Sequence, residues 1–515
     1  MSRPTRSVVV VGGGTAGWLV AGMLAARYPR TADSGLHITL IEAPDQPTIG
    51  VGEGTWPTIR RTLKTIGLRE TELVRSCDAS FKQGTKFRGW IAGEEGESYY
   101  HPFTLPAGFD QEDLSPGWSE TNDPSGFAAA MSPQPMACEA GLAPKLITTP
   151  EYAGVLNYAY HLDAVKLGVL LRRHCCEALG VTYLSGRIEG FDTAENGDLT
   201  AARVIGGEAV AGDLFIDCSG LSGLILDRHY KVPFLSCKHI LFADRAWAVQ
   251  LPYEREDAPI ASTTWSTAQS SGWIWDIGLT GRRGIGHVFS SAHISDDDAL
   301  AELHAYVGAG ARVNDLSFRK ISFEPGRRAA FWVNNCVAVG MASGFIEPLE
   351  ASAIVMIELA AKALAENFPA TRGAMDSAAR IYNRAFAYRW DRIIEFLKLH
   401  YVLSRRPSAF WQDNRGADSM PDGLAEALDY WRYHAPYLDD FPNREEIFGP
   451  AAYHYVLFGM GHAPDPMPWL FSQRRRALAE QKLKEVALYG EHLRHTLPLN
   501  RTLLSKIADY GLQTV

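Results

Sequence analysis

The chain is expected to adopt an α/β fold, and three observations carry that expectation. An apolar strand runs straight into glycines, a helical stretch follows at once, and the strand-then-glycine pattern returns twice much later. Ser7 to Val11 is a continuous apolar run closed by glycine, the pattern of a parallel strand covered on both faces. Gly12-Gly13-Gly14-Thr15-Ala16-Gly17 comes next, then the helical WLVAGMLAARY. Gly12, Gly14 and Gly17 fit G-x-G-x-x-G. The first glycine allows a tight turn, the second lets the backbone approach a pyrophosphate, and the third lets helix and strand pack closely. The helix start then offers N–H groups to phosphate. A second strand, HITLIEA, ends in Glu42, 25 residues past Gly17 and near the spacing of a ribose-binding carboxylate.

The two returns of the pattern are DLFIDCSG, Asp213 to Gly220, and NNCVAVGMASGFIEPLEASAI, Asn334 to Ile354. A single nucleotide-binding unit would end before residue 200. Distant segments closing on one long cofactor point to FAD rather than NAD. The chain has one G-x-G-x-x-G and no second, so its flavin is expected to be reduced by another protein. Between the returns lies SGWIWDIGL, Ser271 to Leu279. As a strand it places Trp273, Trp275 and Ile277 on one face, with Ile274 and Asp276 on the other. Taken alone, that is an ordinary core strand.

Composition bounds the rest. The chain has 515 residues, 46% hydrophobic and 21% charged, enough for two to four domain-sized units with large cores. The net charge of −9 disfavours nucleic acid as a partner. The run Arg474-Arg475-Arg476 is followed by Glu480 and Glu485 and reads as a solvated helix face. Seven cysteines show no CxxC spacing and the fifteen histidines no zinc spacing, so free thiols, no metal and a reducing compartment are expected. No run reaches the roughly 18 apolar residues of a membrane span. The short valine run near the start lacks the length of a signal peptide, and a cytoplasmic location is expected. Residues 105–150 are rich in proline, and beyond Ile354 the apolar period becomes helical. The expected organisation is a composite FAD-binding module over 1–355, with substrate-side insertions at about 80–160 and 230–320. A mainly helical lobe over 356–515 covers the substrate pocket.

Four stretches together resemble the flavin-dependent tryptophan halogenases. They are GVGEGTWPTIR (Gly50 to Arg60), ASFKQGTKFRGW (Ala79 to Trp90), the W-x-W strand, and SGFIEPLEASAI (Ser343 to Ile354). The resemblance runs from residue 8 to about 460. It implies a Rossmann-like, flavoprotein monooxygenase-type core that holds FAD through Gly12, Gly14, Thr15, Ala16, Gly17, Glu42, Ile188, Met341 and Ile354. Lys82 and Glu350 are then the catalytic pair, the amides of Ser352 and Ala353 hold halide, and His101 and Phe103 clamp a flat ring. Trp273 and Trp275 form a wall that keeps the organic substrate from the flavin. The implied chemistry is oxidation of chloride or bromide by oxygen and reduced FAD to hypohalous acid, which Lys82 and Glu350 direct onto an indole-type ring. Lys82 either polarises that acid as an ammonium or forms a haloamine as an amine. The implied partners are a flavin reductase, a small aromatic substrate and a second copy of the chain in a homodimer.

The chain departs from the family pattern in places. Gly278 stands where the signature has proline, and Ala351-Ser352-Ala353 replaces Ser-Thr-Gly or similar. Any non-proline residue supplies the same N–H to a halide. Glu445 and Glu446, in PNREEIFGPAA, are the acids nearest the expected amine-binding position, so the substrate is left as tryptophan or another indole. Competing readings are a flavin monooxygenase that hydroxylates its substrate, and a halogenase of a carrier-tethered aromatic.

Overall fold

In a computed structural model, which describes residues 4–31, 34–45, 52–109, 114–115, 118, 126–308, 316–443, 445–464 and 472–514, the opening valines form the strand Ser7–Val11. It lies inside a six-stranded sheet ordered Trp332–Val333, Cys336–Ala338, Leu214–Asp217, Ser7–Val11, His37–Glu42, Thr182–Ser185. Every pairing is parallel except that of Trp332–Val333 with Cys336–Ala338. Val8 to Val11 are each at most 1% exposed, as a strand covered on both faces must be. The helix Thr15–Arg27 packs against the helix Ser352–Glu366. Val9, Val11, Ile41, Phe191, Phe215 and Cys336 fill a core on the sheet. Both returns of the strand-then-glycine pattern are therefore strands of one sheet.

Contacts divide the chain into two compact units. One comprises Met1–Asp78, Leu162–Cys237 and Glu324–Trp390, and the other Ala79–His161, Lys238–Phe323 and Asp391–Val515. Sequence order predicts a module over 1–355 with insertions at about 80–160 and 230–320 and a lobe over 356–515; the two units by contacts are interleaved along the chain. The first unit holds the six-stranded sheet and its helices. In it Asp217, fully buried at a strand end, anchors the following turn. Its Oδ2 accepts from the N–H groups of Ile225 (2.9 Å) and Leu226 (3.1 Å), and its Oδ1 accepts from Ser219 Oγ (2.6 Å).

The second unit is built on a seven-stranded sheet ordered Arg319–Ser322, Arg245–Pro252, Arg282–Phe289, Gly272–Gly278, Thr264–Gln269, Gly84–Arg88, Ser98–Pro102. The W-x-W stretch is its middle strand, and the alternation of faces holds. Ile274 packs with Val249, Ile285 and Leu303. The Trp273 ring lies 6.4 Å from Trp275 and 6.3 Å from Trp90. Trp275 covers its cross-strand partner Gly286, where a Cβ would fall 2.1 Å from the indole. The helices Pro450–Gly459, Gln473–Thr496 and Asn500–Tyr510 complete this unit. All seven cysteines are free, and among the described residues no helix is long and apolar enough to cross a membrane. No cluster that could hold a metal occurs among them either.

Candidate active site

The first unit carries the glycine loop. Gly12 has φ 114°, and a Cβ there would fall 2.2 Å from the Cys218 carbonyl oxygen. A Cβ at Gly17 would fall 2.0 Å from the Gly12 oxygen, so neither position admits a side chain. At Gly14, the extended residue that caps the helix, nothing lies within 4 Å of where a Cβ would be. Two closed positions and one open one are what a pyrophosphate needs at a helix start, so the loop fits a dinucleotide such as FAD. Thr15 and Ala16 open that helix. Glu42 reaches over the loop, its Cδ 2.2 Å from where a Gly13 Cβ would be. Met341 lies in the short turn Gly340–Ala342 beside Gly220. Ile354 is buried near the start of Ser352–Glu366. Ile188 opens the strand Ile188–Thr193 and packs on the sheet core.

The same unit holds the turn from Pro348 to Ser352. Glu350 is 8% exposed, with φ 63° and ψ 9°. Ala351 follows with φ 54° and ψ 42°. Two successive left-handed residues with side chains each cost roughly 1–2 kcal/mol, so the surroundings must hold them. The Ala351 N–H donates to the Pro348 carbonyl (2.9 Å), and Trp56 Nε1 donates to the Glu350 carbonyl (2.7 Å). Ser352 and Ala353 begin the helix directly after. Trp56 belongs to the GVGEGTWPTIR stretch, of which Gly50 and Val51 lie outside the described residues. Its next helix, Ile59–Thr65, is tied to Glu358: Thr62 Oγ1 donates to Oε2 (2.6 Å) and Thr58 Oγ1 to Oε1 (3.2 Å). Burial pushes the Glu358 carboxyl up to about 7.

The second unit carries Lys82. It ends the strand Ser80–Lys82, which pairs antiparallel with Ala159–Leu162, Lys82 opposite Ala159 and Ser80 opposite His161. Lys82 is 1% exposed, with Nζ 5.5 Å from the centroid of Phe103. An ammonium so buried needs compensation, and a ring face supplies part of it. His161 shares the face of Lys82, and its Nε2 is 2.8 Å from Thr264 Oγ1. Burial, and then the Lys82 charge, hold this imidazole well below its usual pKa, so it is neutral.

Buried Gln83 and Gln134 and half-buried Asn157 fix the loop that carries Phe103. The Phe103 N–H donates to the Gln83 carbonyl (3.3 Å), and Asn157 Nδ2 donates to the Phe103 carbonyl (2.9 Å). Gln134 Nε2 donates to the Asn157 carbonyl (2.6 Å), while its Oε1 accepts from the Thr104 N–H (2.8 Å). His101, on the strand Ser98–Pro102, faces Phe396 at 6.0 Å and Tyr455 at 6.2 Å. Phe396 stacks on Phe448 at 3.8 Å, and Tyr453 meets it edge-on. Glu445 is exposed, and Glu446 Oε1 accepts from the Asn443 N–H (3.3 Å). Gly278 is tightly packed: a Cβ there would meet Tyr253 Oη at 3.0 Å and Ile260 at 3.1 Å. Its carbonyl accepts from Ser80 Oγ (2.5 Å), which ties the W-x-W strand to the strand of Lys82.

The second unit thus brings Lys82 beside Phe103, with His101 on the adjoining strand, and the first carries both the glycine loop and the turn of Glu350, Ser352 and Ala353. Trp56, His161, Gln134 and Asn157 were not anticipated. Trp56 stood inside a quoted motif, but no local signal ties it to a carbonyl 294 residues away.

A glycine cradle at a helix start on a largely parallel sheet defines a dinucleotide-binding protein. Residues 7–474 match the family model described as tryptophan halogenase, and the chain belongs to that family. It is an enzyme of the flavin-dependent halogenase type, an oxidoreductase. The tryptophan 7-halogenase RebH of Lentzea aerocolonigenes is 34% identical over 502 residues, spanning 91% of this chain and 92% of its own. The crystal structure of a tryptophan halogenase from Shewanella frigidimarina is 43% identical, with a TM-score of 0.95 over 99% of each chain. BrvH, a flavin-dependent halogenase from Brevundimonas sp., is 35% identical, with a TM-score of 0.84 over 98% of this chain and 99% of its own.

Proposed function

We propose that this enzyme halogenates an indole-type aromatic, tryptophan or a free indole derivative, with Lys82 and Glu350 as its catalytic residues. When bound and reduced by a separate flavin reductase, FAD supplies two electrons that let oxygen oxidise chloride or bromide to hypohalous acid. The glycine loop holds the pyrophosphate and Glu42 the ribose, with Thr15, Ala16, Ile188, Met341 and Ile354 as further contacts. The amides of Ser352 and Ala353, at the positive end of their helix, hold the halide.

The Lys82 ammonium donates a hydrogen bond to the oxygen of hypohalous acid and makes the halogen more electrophilic. The ring carbon takes the halogen and the oxygen–halogen bond breaks. The oxygen takes a proton from Nζ and leaves as water. Glu350 stabilises the cationic ring and accepts its displaced proton, and uptake of one proton later restores the lysine. Charge placed where charge develops is often the largest catalytic contribution. His101 and Phe103 hold the ring by its faces. What supports this reading above all is the buried Lys82 amine, 1% exposed beside the Phe103 ring, in a chain of this family.

The test is an incubation with FAD, a flavin reductase, NADH, oxygen and bromide or chloride. Tryptophan, indole and phenols are screened by mass spectrometry. Monohalogenated indole or tryptophan is the expected product. Hydroxylated product without halogenated product would instead make the enzyme a hydroxylase. Trp273 and Trp275 are assigned to excluding the ring from the flavin. Replacing both with alanine is expected to add a hydroxylated by-product, and halogenation unchanged with no such product would remove that assignment.

A further inference from the structure

We propose that Trp56 is a positioning residue for the halogenation site. Its indole N–H holds the Glu350 carbonyl and thereby fixes the left-handed turn that sets the Glu350 carboxylate and the first amides of Ser352–Glu366. This rests on the reading of Glu350, Ser352 and Ala353 given above.

The argument starts from the peptide unit between Glu350 and Ala351. Its oxygen is the Glu350 carbonyl, so anchoring that one atom restrains ψ of Glu350 and φ of Ala351 together. Both residues sit at positive φ, 63° and 54°, which neither prefers. The hydrogen bond inside the turn, from the Ala351 N–H to the Pro348 carbonyl, leaves the Glu350 oxygen to an outside donor. Trp56 Nε1 supplies it at 2.7 Å. Trp56 is itself held, because the segment that carries it continues into the helix Ile59–Thr65. Thr58 and Thr62 at the start of that helix donate to Glu358, further along the same helix that Glu350 precedes. The segment and the helix are therefore joined at two places, one of them the catalytic turn. A turn released at the Glu350 oxygen can relax toward ordinary φ, which swings the carboxylate and re-aims the amides of Ser352 and Ala353.

The test replaces Trp56 with Phe in the full chain, loaded with FAD and assayed with reductase, NADH, oxygen and bromide or chloride. The halide KM is expected to rise and kcat to fall, with kcat/KM for halide lower by about fivefold or more, the worth of one hydrogen bond. FAD affinity, read by flavin fluorescence, and Tm are expected to stay at parent values. Adding Ala351→Gly is expected to recover at least half of the loss, because glycine takes positive φ without steric cost. Parent-like halide KM and kcat in Trp56→Phe overturn the proposal. So does an impaired Trp56→Phe that Ala351→Gly leaves unimproved, since the effect then does not run through the turn. Should Trp56→Phe fail to fold, benzothienylalanine at position 56 keeps the shape of the side chain with sulfur in place of N–H, and the same comparison decides. Glu350→Gln is assayed alongside. If it keeps the parent rate, the reading of Glu350 fails. If it is inactive while Trp56→Phe is parent-like, only the inference about Trp56 fails.

Discussion

Lys82 and Glu358 are both buried ionisable groups, the first beside an aromatic ring and the second beside two threonine hydroxyls. Lys82 Nζ lies 5.5 Å from the centroid of the Phe103 ring. Lys82→Met retains the length and removes the charge and the donor. Halogenation of the ring is expected to fall by about a hundredfold to a thousandfold, the usual cost of one catalytic electrostatic group. Hypohalous acid, trapped by a reactive diketone in solution, is expected to form at the parent rate. A parallel fall in trapped oxidant would show that Lys82 acts before the oxidant exists. Glu358 is neutralised by burial, its folded pKa of about 7 lying above the ordinary 4.5. Between those values the folded state keeps a proton that the unfolded state has released. Stability therefore falls as pH rises from about 4.5 to 7 and levels off above, over a span of order 3 kcal/mol. Glu358→Gln cannot ionise, so its urea midpoints at pH 5 and pH 8 are expected to lie closer together than those of the parent. An unchanged gap would show that Glu358 ionises normally.

The elements differ in how far they could be read from the sequence. The glycine loop announces itself because a tight turn and two close backbone approaches admit only one residue type. Gly12→Val would drive a side chain into the Cys218 carbonyl, 2.2 Å from the first added carbon. That variant is expected to purify without bound FAD and to show no flavin absorbance after incubation with it. The W-x-W strand was legible through its period of two, and the faces of Trp273 and Ile274 follow from it. The pairing of Ser80–Lys82 with Ala159–Leu162 was not, since ladder partners so far apart leave no trace in either segment. Nor does Pro348-Leu349-Glu350-Ala351 declare a left-handed turn, because it lacks the glycine or asparagine that usually marks one. Glu350 could be singled out by motif, while the donor to its carbonyl, Trp56, lies 294 residues away in the sequence.

At the scale of the whole chain, the two units each draw on three separated stretches. A boundary read from composition falls at 355, where helical periodicity takes over. Cutting there would remove Met356, Ile357, Ala360, Ala361 and Leu364, all buried residues of the helix that packs on Thr15–Arg27. A fragment of residues 1–355 is expected to be insoluble or to bind no FAD, and a soluble FAD-binding fragment would show that the first unit does not need its last stretch. The same threading governs how the protein is made. The strand Ser7–Val11 leaves the ribosome ahead of its neighbour Leu214–Asp217, which is translated some two hundred residues later. At ordinary elongation speeds that is a wait of about 10–40 s. For that time one edge of a four-valine strand has no partner, and an unpaired apolar edge is where a nascent chain pairs wrongly.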